Sequence, residues 1–299
     1  MERFDQYMER VLYGHDGFYT TGRGVAGRRG GDFITSPEVG PLFGVLIGRW
    51  LDSVWDDLGR PTSLPVIDMG SGPGTLASAI ERSRPRCQPA LALASCDLAD
   101  PGSAPADVDG HVVIANELLD NLPFRWVRNL EGSCTEAFVK GSALEWRECD
   151  DMTSVNGEFP VVEHAAALLT RLLAQGVQRI LAIDYGALTT TELAQRGGWL
   201  RCFRSHQRSS DPLHEPGHWD ITTDVPVDQL PAPDRVRTQS AFLSSLGIDQ
   251  LVTEGRDYWR ANAARPDLLA MEMRSRVNEA AALTDPDGLG SFLVMEWLT

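Results

Sequence analysis

Three glycines at alternate positions, Gly70, Gly72 and Gly74, closely follow Asp68 at the end of an apolar stretch. A strand-like stretch precedes the glycines and a helical stretch follows them, so they occupy a tight turn between two regular elements. Glycine has no side chain, and it therefore lets the backbone approach a bound ligand closely. The segment predicts a ligand-binding loop, and the alternative is a glycine-rich turn that binds nothing.

This loop departs from the phosphate-binding pattern of dinucleotide folds. In that pattern a third glycine or alanine comes five residues after the first, and Thr75 occupies that position here. Pro73 also removes a backbone N–H donor that a phosphate would use. The spacing therefore disfavours a nicotinamide dinucleotide as the ligand.

Acidic and amide side chains follow two further apolar stretches. One predicted strand ends at Asn116 and Glu117, and another ends at Asp184 and Tyr185. Because ligands bind at the carboxyl edge of open α/β sheets, we expect these residues to lie beside a bound ligand. A carboxylate such as Glu117 at an apolar strand end must be solvated, paired or used in chemistry. For Asn116 and Asp120, turn and helix-cap roles stay open.

The elements that must hold these residues follow an α/β pattern. Further strands are predicted at residues 90–96 and 291–297, the second of them antiparallel and last in the chain. We expect the chain to have four parts. Residues 1–60 contain an N-terminal helix, a glycine-rich loop and a capping helix, and residues 61–188 form the ligand-binding core. Residues 189–284 form a substrate-facing insertion with a helical cap, and residues 285–299 form the strand that completes the core.

Composition limits the classes of partner and the compartment. The formal net charge of −15 and the pI near 4.8 oppose nucleic-acid binding, which needs basic residues to neutralise phosphates. Five cysteines without a C-x-x-C pair indicate neither a disulfide framework nor a thiolate zinc site. No apolar run approaches the roughly 20 residues that cross a bilayer. We therefore expect a cytoplasmic protein with reduced cysteines and no membrane partner.

Three histidines in one region raise the question of a metal site. His214 and His218 would share a helix face, but Pro212, Pro216 and Gly217 disfavour a helix there. No nearby pair of carboxylates completes a ligand set, so no metal is expected.

Several sequence blocks, in the same order along the chain, resemble the MidA-like family of class I S-adenosylmethionine-dependent methyltransferases, which includes the mitochondrial arginine methyltransferases of complex I assembly. The blocks are LYGHDGFY at residues 12–19, GDFITSPE at 31–38, DMGSGPG at 68–74, IANELLDNLP at 114–123, IDYG at 183–186, LRCFRSH at 200–206, PGHWDIT at 216–222, TQSAFL at 238–243 and DPDGLG at 285–290.

The resemblance implies a Rossmann-like sheet that is mostly parallel, with an antiparallel last strand. It also implies S-adenosylmethionine as cofactor, S-adenosylhomocysteine as product, and a protein arginine side chain as methyl acceptor. A guanidinium is cationic and a poor nucleophile, so carboxylates are needed to orient it and to accept the proton it loses. The partner implied is a protein with a basic segment, and a homodimer stays open.

The resemblance also assigns roles to individual residues. The catalytic set is Glu117 with Asn116 and Asp120, and Asp184 is an alternative to Asp120. The cofactor set is Asp68, Gly70, Ser71, Gly72, Gly74, Asp97, Thr35, Ser36 and Glu38, with Asp32 beside the last three and Asp97 on the ribose hydroxyls. The substrate set is Asp184, Tyr185, Arg201, Arg204, His206 and Asp220. No metal ligand is implied.

Two contractions relative to the family pattern keep other functions open. Only thirteen residues lie between Asp97 and His111, where the family carries a helix and a strand, and residues 231–234 replace another helix. The first gap flanks the expected adenine pocket. The alternatives are therefore an inactive scaffold or assembly factor of the same fold, and a methyltransferase for small molecules.

Overall fold

A computed structural model describes residues 1–21, 35–97, 107–150, 154–205 and 207–299. Within these ranges, numbered in chain order, the strands are β1 Glu2–Arg3, β2 Leu64–Met69, β3 Leu91–Cys96, β4 Val112–Asn116, β5 Arg125–Leu130, β6 Ser133–Lys140, β7 Ala143–Glu148, β8 Gly157–Val161, β9 Arg179–Asp184, β10 Gly186–Ala187, β11 Leu200–Arg204, β12 Gln207–Ser209, β13 Asp220–Thr223, β14 Val225–Pro226, β15 Arg235–Thr238 and β16 Leu293–Leu298.

The helices alternate with these strands. They are α1 Phe4–Met8, α2 Ser36–Val39, α3 Pro41–Asp57, α4 Thr75–Ser83, α5 Glu163–Ala174, α6 Thr190–Arg196, α7 Gln239–Ser245, α8 Ile248–Asn262 and α9 Leu268–Leu283. A π-helical turn, Glu9–Tyr13, continues α1. None of the helices in these ranges is long and apolar enough to cross a bilayer.

The central sheet has six strands in the order β15-β16-β9-β4-β2-β3. Strands β9, β4, β2 and β3 are parallel, whereas β16 runs antiparallel to both of its neighbours. This confirms the predicted α/β class with an antiparallel last strand. Because parallel strands end on the same edge, the residues that follow β2, β3, β4 and β9 meet there.

Alternating burial explains why β4 is apolar along almost its whole length. Val113 and Ala115 face a core that includes α1 and α5, whereas Val112 and Ile114 face the core of α3, α4 and α7. A strand covered on both faces needs apolar residues at successive positions rather than at alternate ones. The first polar side chains of this strand therefore appear at its carboxyl end.

A second sheet was not predicted. Strands β5, β6, β7 and β8, which lie between β4 and β9 in the chain, form an antiparallel five-stranded sheet with the N-terminal strand β1. Strands β12, β11 and β13 form a further small antiparallel sheet. Strand β15, within residues 189–284, pairs with β16 at the edge of the central sheet. The boundaries of the four predicted parts stay a prediction.

Candidate active site

A cleft with about 800 Å³ of empty space, part of it open to solvent, lies at the carboxyl ends of β2, β3 and β4. Loops and turns from five segments line it. The lining residues are Tyr13, Tyr19, Thr35, Pro37, Glu38, Asp68, Gly70, Ser71, Gly72, Pro73, Thr75, Leu76, Asp97, Asn116, Glu117, Leu118 and Asn121. The cleft thus brings together most of the residues that the sequence placed in the cofactor and catalytic sets.

The glycine loop leaves its backbone open to the cleft. Gly72 and Gly74 have φ angles of +50° and +73°, and no atom lies within 4 Å of a Cβ built on either residue. Gly70 differs, since its Cβ would lie 2.8 Å from Cδ1 of Leu118. The loop therefore needs glycine at position 70 for packing and presents bare backbone to the cleft at position 72. Gly74 follows just before α4, and no side chain in the described part of the chain fills the space beside it.

Strand β3 holds the loop in place. The N–H groups of Gly70 and Ser71 donate to the carbonyl of Cys96, at 2.8 and 3.1 Å. The N–H of Gly72 donates to Oδ2 of Asp97 at 3.1 Å. Asp97 thus lies at the cleft wall directly beside the loop, and its contact with a ribose stays a prediction.

Asp68 is a buried carboxylate, and no cation of the described ranges lies beside it. The side chain is 2% exposed, and its Oδ2 has no hydrogen-bond partner among the described residues. Burial raises the pKa of Asp68 to about 7, and a hydrogen bond from the backbone of Ala77 opposes this rise. A positively charged ligand group in the cleft would favour the ionised form of this carboxyl.

Glu117 lies at the end of β4 in a left-handed backbone conformation, with φ of +52°. Its N–H donates to the carbonyl of Ile183 at 2.8 Å, which ties this turn to the neighbouring strand β9. Oε1 of Glu117 accepts hydrogen bonds from Nδ2 of Asn116 at 3.1 Å and from the N–H of Ser36 at 3.0 Å. A carboxylate placed by strained backbone and two donors has a fixed position at the cleft wall.

Burial also raises the pKa of Glu117 to about 7, and the hydrogen bonds from Ser36 and Asn116 oppose this rise. The group therefore changes its protonation state near neutral pH, which suits a general base. Oδ1 of Asn116 is buried and has no hydrogen-bond partner in the described ranges, although it is at the cleft.

The segment before α3 closes one side of the cleft. Thr35 and Glu38 line it directly, and Oγ1 of Thr75 donates to Oε1 of Glu38 at 2.5 Å. Ser36 is fully buried and acts through its backbone, while its hydroxyl donates to Oε1 of Gln239 at 3.0 Å. Asp32, which the sequence placed beside these residues, lies outside the described residues.

Asp120 and Asp184 lie behind the cleft wall and do not line it. Asp184 accepts hydrogen bonds from the N–H groups of Leu119, Asp120 and Tyr185, at 2.8, 3.2 and 3.0 Å. Burial raises the pKa of both carboxyls above the usual range for aspartate, and the Asp184 charge adds to the rise at Asp120. Asp184 therefore fixes the 117–121 turn through the backbone N–H groups of Leu119 and Asp120.

Among the other members of the predicted substrate set, those that the structure describes do not line the cleft. Asp220 is buried and accepts hydrogen bonds from two cleft residues, the Tyr19 hydroxyl at 2.9 Å and Nδ2 of Asn121 at 3.0 Å. Arg201 lies over the Tyr185 ring at 4.9 Å and pairs with Asp224.

Arg204 forms an ion pair with Glu215, away from the cleft. His206 lies outside the described residues. The roles of these side chains in substrate binding stay predictions.

Comparisons with known proteins agree on one relationship. Residues 157–241 match a family model described as "Putative S-adenosyl-L-methionine-dependent methyltransferase". The chain is 26% identical to a protein arginine methyltransferase NDUFAF7 homologue, mitochondrial, from Drosophila melanogaster, over 74% of this chain and 63% of that protein. It is 28% identical to the Danio rerio protein arginine methyltransferase NDUFAF7, mitochondrial, over 74% of this chain and 67% of that protein. This chain is a homologue of the MidA-like methyltransferases.

A solved structure supports the fold of this MidA-like homologue. The structure is a COG1565 superfamily member from Burkholderia thailandensis bound to S-adenosylhomocysteine, with a TM-score of 0.80 and 24% identity. The alignment covers 99% of this chain and 87% of the other. Together with the family match, it supports S-adenosylmethionine as the cofactor.

The prediction of a cytoplasmic location is wrong. The Drosophila, Danio and Rattus norvegicus relatives are all named as mitochondrial proteins. The prediction rested on the lack of an apolar run long enough to cross a bilayer and on the cysteine spacing, and neither feature separates these compartments. The matched part spans less than two thirds of the length of the Drosophila relative.

The cleft of the MidA-like homologue suits a cationic ligand better than a phosphate. Its described lining includes Glu38, Asp68, Asp97 and Glu117 but no lysine or arginine. An acidic wall favours groups such as ammonium, sulfonium or guanidinium and repels phosphates. The residues present therefore fit S-adenosylmethionine, which carries an ammonium and a sulfonium. No cluster of metal ligands occurs in the described ranges.

The sequence did not single out two aromatic residues of this site. Tyr13 and Tyr19 line the cleft with their rings stacked at a centroid distance of 5.5 Å and an angle of 15°. The Tyr13 hydroxyl donates to the carbonyl of Asn121 at 3.2 Å. Both lie in the block at residues 12–19 that carried the family resemblance, and that block is the signal that could have placed them at the site.

Proposed function

We propose that this chain transfers a methyl group from S-adenosylmethionine to a guanidinium nitrogen of an arginine in a protein. Glu117 carries the proposal, because it is a fixed carboxylate at the cleft wall with a pKa near neutrality. The names of the arginine methyltransferase relatives support the choice of acceptor.

In this proposal the cofactor lies along the open loop at residues 70–74. Gly72 offers bare backbone, Asp97 accepts hydrogen bonds from the ribose hydroxyls, and Asp68 provides negative charge beneath the loop. Thr35 and Glu38 cover the ligand from the opposite side. The bound cofactor supplies an electrophilic methyl carbon on a sulfonium.

Glu117 then acts on the acceptor. Its carboxylate attracts and orients the cationic guanidinium, which places one nitrogen in line with the methyl carbon and the sulfur. A nitrogen–carbon bond forms while the carbon–sulfur bond breaks, and the sulfur keeps the electron pair. The proton that the guanidinium loses passes to Glu117. Asn116 and Ser36 hold the carboxylate in place throughout.

Asp184 and Asp120 support the site from behind in this scheme. Asp184 fixes the backbone of the turn that carries Glu117, and Asp120 lies beneath it. The net charge of −15 favours a basic segment of a partner protein as the acceptor. Arg201, Tyr185, Arg204, His206 and Asp220 are proposed to shape the path of that segment.

A labelling experiment tests the proposal against its two alternatives. The purified chain is incubated with radiolabelled S-adenosylmethionine and a cell extract depleted of its own small molecules, and the products are separated by size and hydrolysed to amino acids. Label in methylarginine supports the proposal. The assay is then repeated with the small molecules added back to the extract. Label found only in small molecules in that assay contradicts a protein acceptor. Calorimetry without binding heat up to millimolar cofactor would support an inactive scaffold.

A further inference from the structure

Two cysteines that are fifteen positions apart in sequence meet across the hairpin of β6 and β7. The register pairs Thr135 with Glu148, so Cys134 and Cys149 are opposite each other at the next step. The N–H of Cys149 donates to the carbonyl of Cys134 at 3.1 Å, which continues the ladder by one residue. The two sulfurs are in contact at 2.6 Å.

Backbone pairing alone places these side chains within reach of a disulfide. Directly opposite residues of an antiparallel ladder have Cα atoms about 4.5 or 5.5 Å apart. Disulfides span Cα separations of roughly 4.4–6.8 Å. Both side chains also belong to the small core formed with Val127, Val155, Phe159 and Val161. The strand geometry therefore needs no movement to accept a bond between the sulfurs.

The remaining cysteines are in a different environment. Cys87, Cys96 and Cys202 are all buried, and burial raises the pKa of the Cys87 and Cys202 thiols to about 12. Burial also raises the pKa of Cys96. Such thiols form little thiolate and exchange slowly with disulfides. Cys149 is partly exposed, so a small reagent can reach the 134–149 pair first.

We propose that Cys134 and Cys149 form a reversible disulfide through exchange with a low-molecular-weight disulfide such as oxidised glutathione. One cysteine thiolate attacks the reagent, and one glutathione thiolate leaves. The other cysteine then attacks the mixed disulfide, a sulfur–sulfur bond joins the two strands, and the second glutathione leaves. The two protein thiols are oxidised, the reagent is reduced, and both protons end on the two glutathione molecules.

The position of the pair gives the bond a structural effect. Strand β7 pairs only with β6 among the described strands, so it is an edge strand. The two-residue turn at Gly141 closes one end of this hairpin, and the cysteines are at the open end. A disulfide there joins the end of the hairpin that lacks a turn, and we expect it to raise the Tm by about 5 °C.

Mass spectrometry tests the proposal on the full chain. The protein is equilibrated with millimolar oxidised or reduced glutathione, denatured in acid, alkylated with N-ethylmaleimide and weighed intact. We expect five adducts on the reduced protein and three on the oxidised one, whose parent mass is about 2 Da lower. Digestion should give one linked peptide pair that contains Cys134 and Cys149.

Matched variants separate the pair from the other thiols. Cys149→Ser removes the more exposed partner and should abolish the loss of two adducts. Cys87→Ser, a buried cysteine outside the pair, should keep it. Five adducts under oxidising glutathione, or a lasting glutathione adduct without the linked peptide, would overturn the proposal. A loss of two adducts that persists in Cys149→Ser would also overturn it.

Discussion

Buried carboxylates occur in two regions of this molecule under opposite electrostatic conditions. In the antiparallel sheet region, Asp5 is 3% exposed and accepts a hydrogen bond from Nη2 of Arg3 at 2.6 Å. Burial opposes its ionisation, but His164 and Arg3 lower the pKa of Asp5 well below its usual range. At the cleft, no cation among the described residues lies beside Asp68 or Glu117, and burial raises the pKa of each to about 7.

The difference indicates what each region contributes. A carboxylate that the chain pairs with its own cation stabilises the fold and has little charge to offer a ligand. A buried carboxylate without a cation costs folding free energy, and a cationic ligand can repay that cost on binding. The acidic cleft wall is therefore the less stable and the more reactive of the two regions.

Glu117→Gln should have the largest effect on activity. Glutamine keeps the size of the side chain and can accept the hydrogen bonds from Ser36 and Asn116, but it cannot take a proton from the acceptor. We expect kcat to fall by about 10²–10⁴ while the Kd for S-adenosylmethionine changes less than about threefold. Rates come from the labelling assay, and Kd values from calorimetry.

Glu131→Gln is the matched control for backbone strain. Glu131 has the same φ of +52° but lies exposed in a hairpin turn. Its substitution should leave kcat unchanged.

In the wild type, kcat/KM should fall about tenfold for each pH unit below pH 7, because protonated Glu117 cannot act as a base. Wild-type turnover by Glu117→Gln would contradict the role of this residue.

Gly72→Val should abolish cofactor binding. Gly72 lines the cleft and no described atom lies within 4 Å of a Cβ built there, so we expect the added side chain to compete with the ligand for this space. We expect Kd to rise by at least about 100-fold. Gly110→Val is the control, because Gly110 has φ of +70°, equally open space and a position outside the cleft. Equal losses of binding in both variants would point to backbone strain instead.

Arg125→Met breaks a cation pairing in the antiparallel sheet. Arg125 is 7% exposed and pairs with Glu136 at 2.7 Å and with Glu163 at 3.0 Å. Its loss leaves Glu136 largely buried without this cation, at a cost of about 3 kcal/mol in the free energy of unfolding. Urea denaturation measures the cost, and cofactor affinity should stay unchanged.

Arg60→Met provides the surface comparison for this variant. The Arg60–Asp56 pair is at the surface, so its loss should cost less than about 1 kcal/mol. Equal costs for Arg60→Met and Arg125→Met would show that burial does not set the energy of these pairs.

Asp5→Asn and Asp68→Asn should change stability with opposite sign. The lowered pKa of Asp5 gives stability that is present at neutral pH and is lost as the pH falls below about 4, so Asp5→Asn costs about 2 kcal/mol at pH 7. The raised pKa of Asp68 imposes a cost that grows from about pH 4 to about pH 7. Asp68→Asn should therefore stabilise the ligand-free protein by about 2 kcal/mol at pH 8.

Unfolding curves at pH 4, 6 and 8 distinguish these two effects. The difference between Asp68→Asn and wild type should fall below about 1 kcal/mol at pH 4, where the folded state holds the proton and the unfolded state is only about half ionised. A destabilising Asp68→Asn at pH 8 would show that the buried carboxyl has a partner that stabilises its charged form.

The sequence was sufficient for the central sheet because its residues follow rules of local pattern. Strands β2, β4 and β9 are apolar on both faces, and each has a polar residue within two positions of its carboxyl end, so their positions and shared edge could be predicted. The antiparallel sheet was missed because β7 and β8 mix charged, aromatic and small residues. Contacts with β6 and β5, rather than a regular alternation of apolar and polar residues, determine how these two strands pair.

The position of a site residue could be predicted only where one continuous segment of the chain determines it. The glycine loop and the strand end at Glu117 are of this kind. The location of Asp120 behind the wall depends on the path of the 117–121 turn, which Asp184 fixes from another strand. Tyr13 and Tyr19 reach the cleft because the N-terminal segment folds back across the sheet edge, and no local pattern specifies this path.

The backbone conformation of Glu117 implies that stability and catalysis favour different residues at this position. A side chain in the left-handed region costs about 1 kcal/mol relative to glycine, and here the same residue also places a carboxylate in a poorly hydrated setting. Laboratory evolution of this chain for heat resistance alone should therefore replace Glu117 early, with glycine or asparagine. The selected variants would be more stable to heat but would no longer catalyse the reaction.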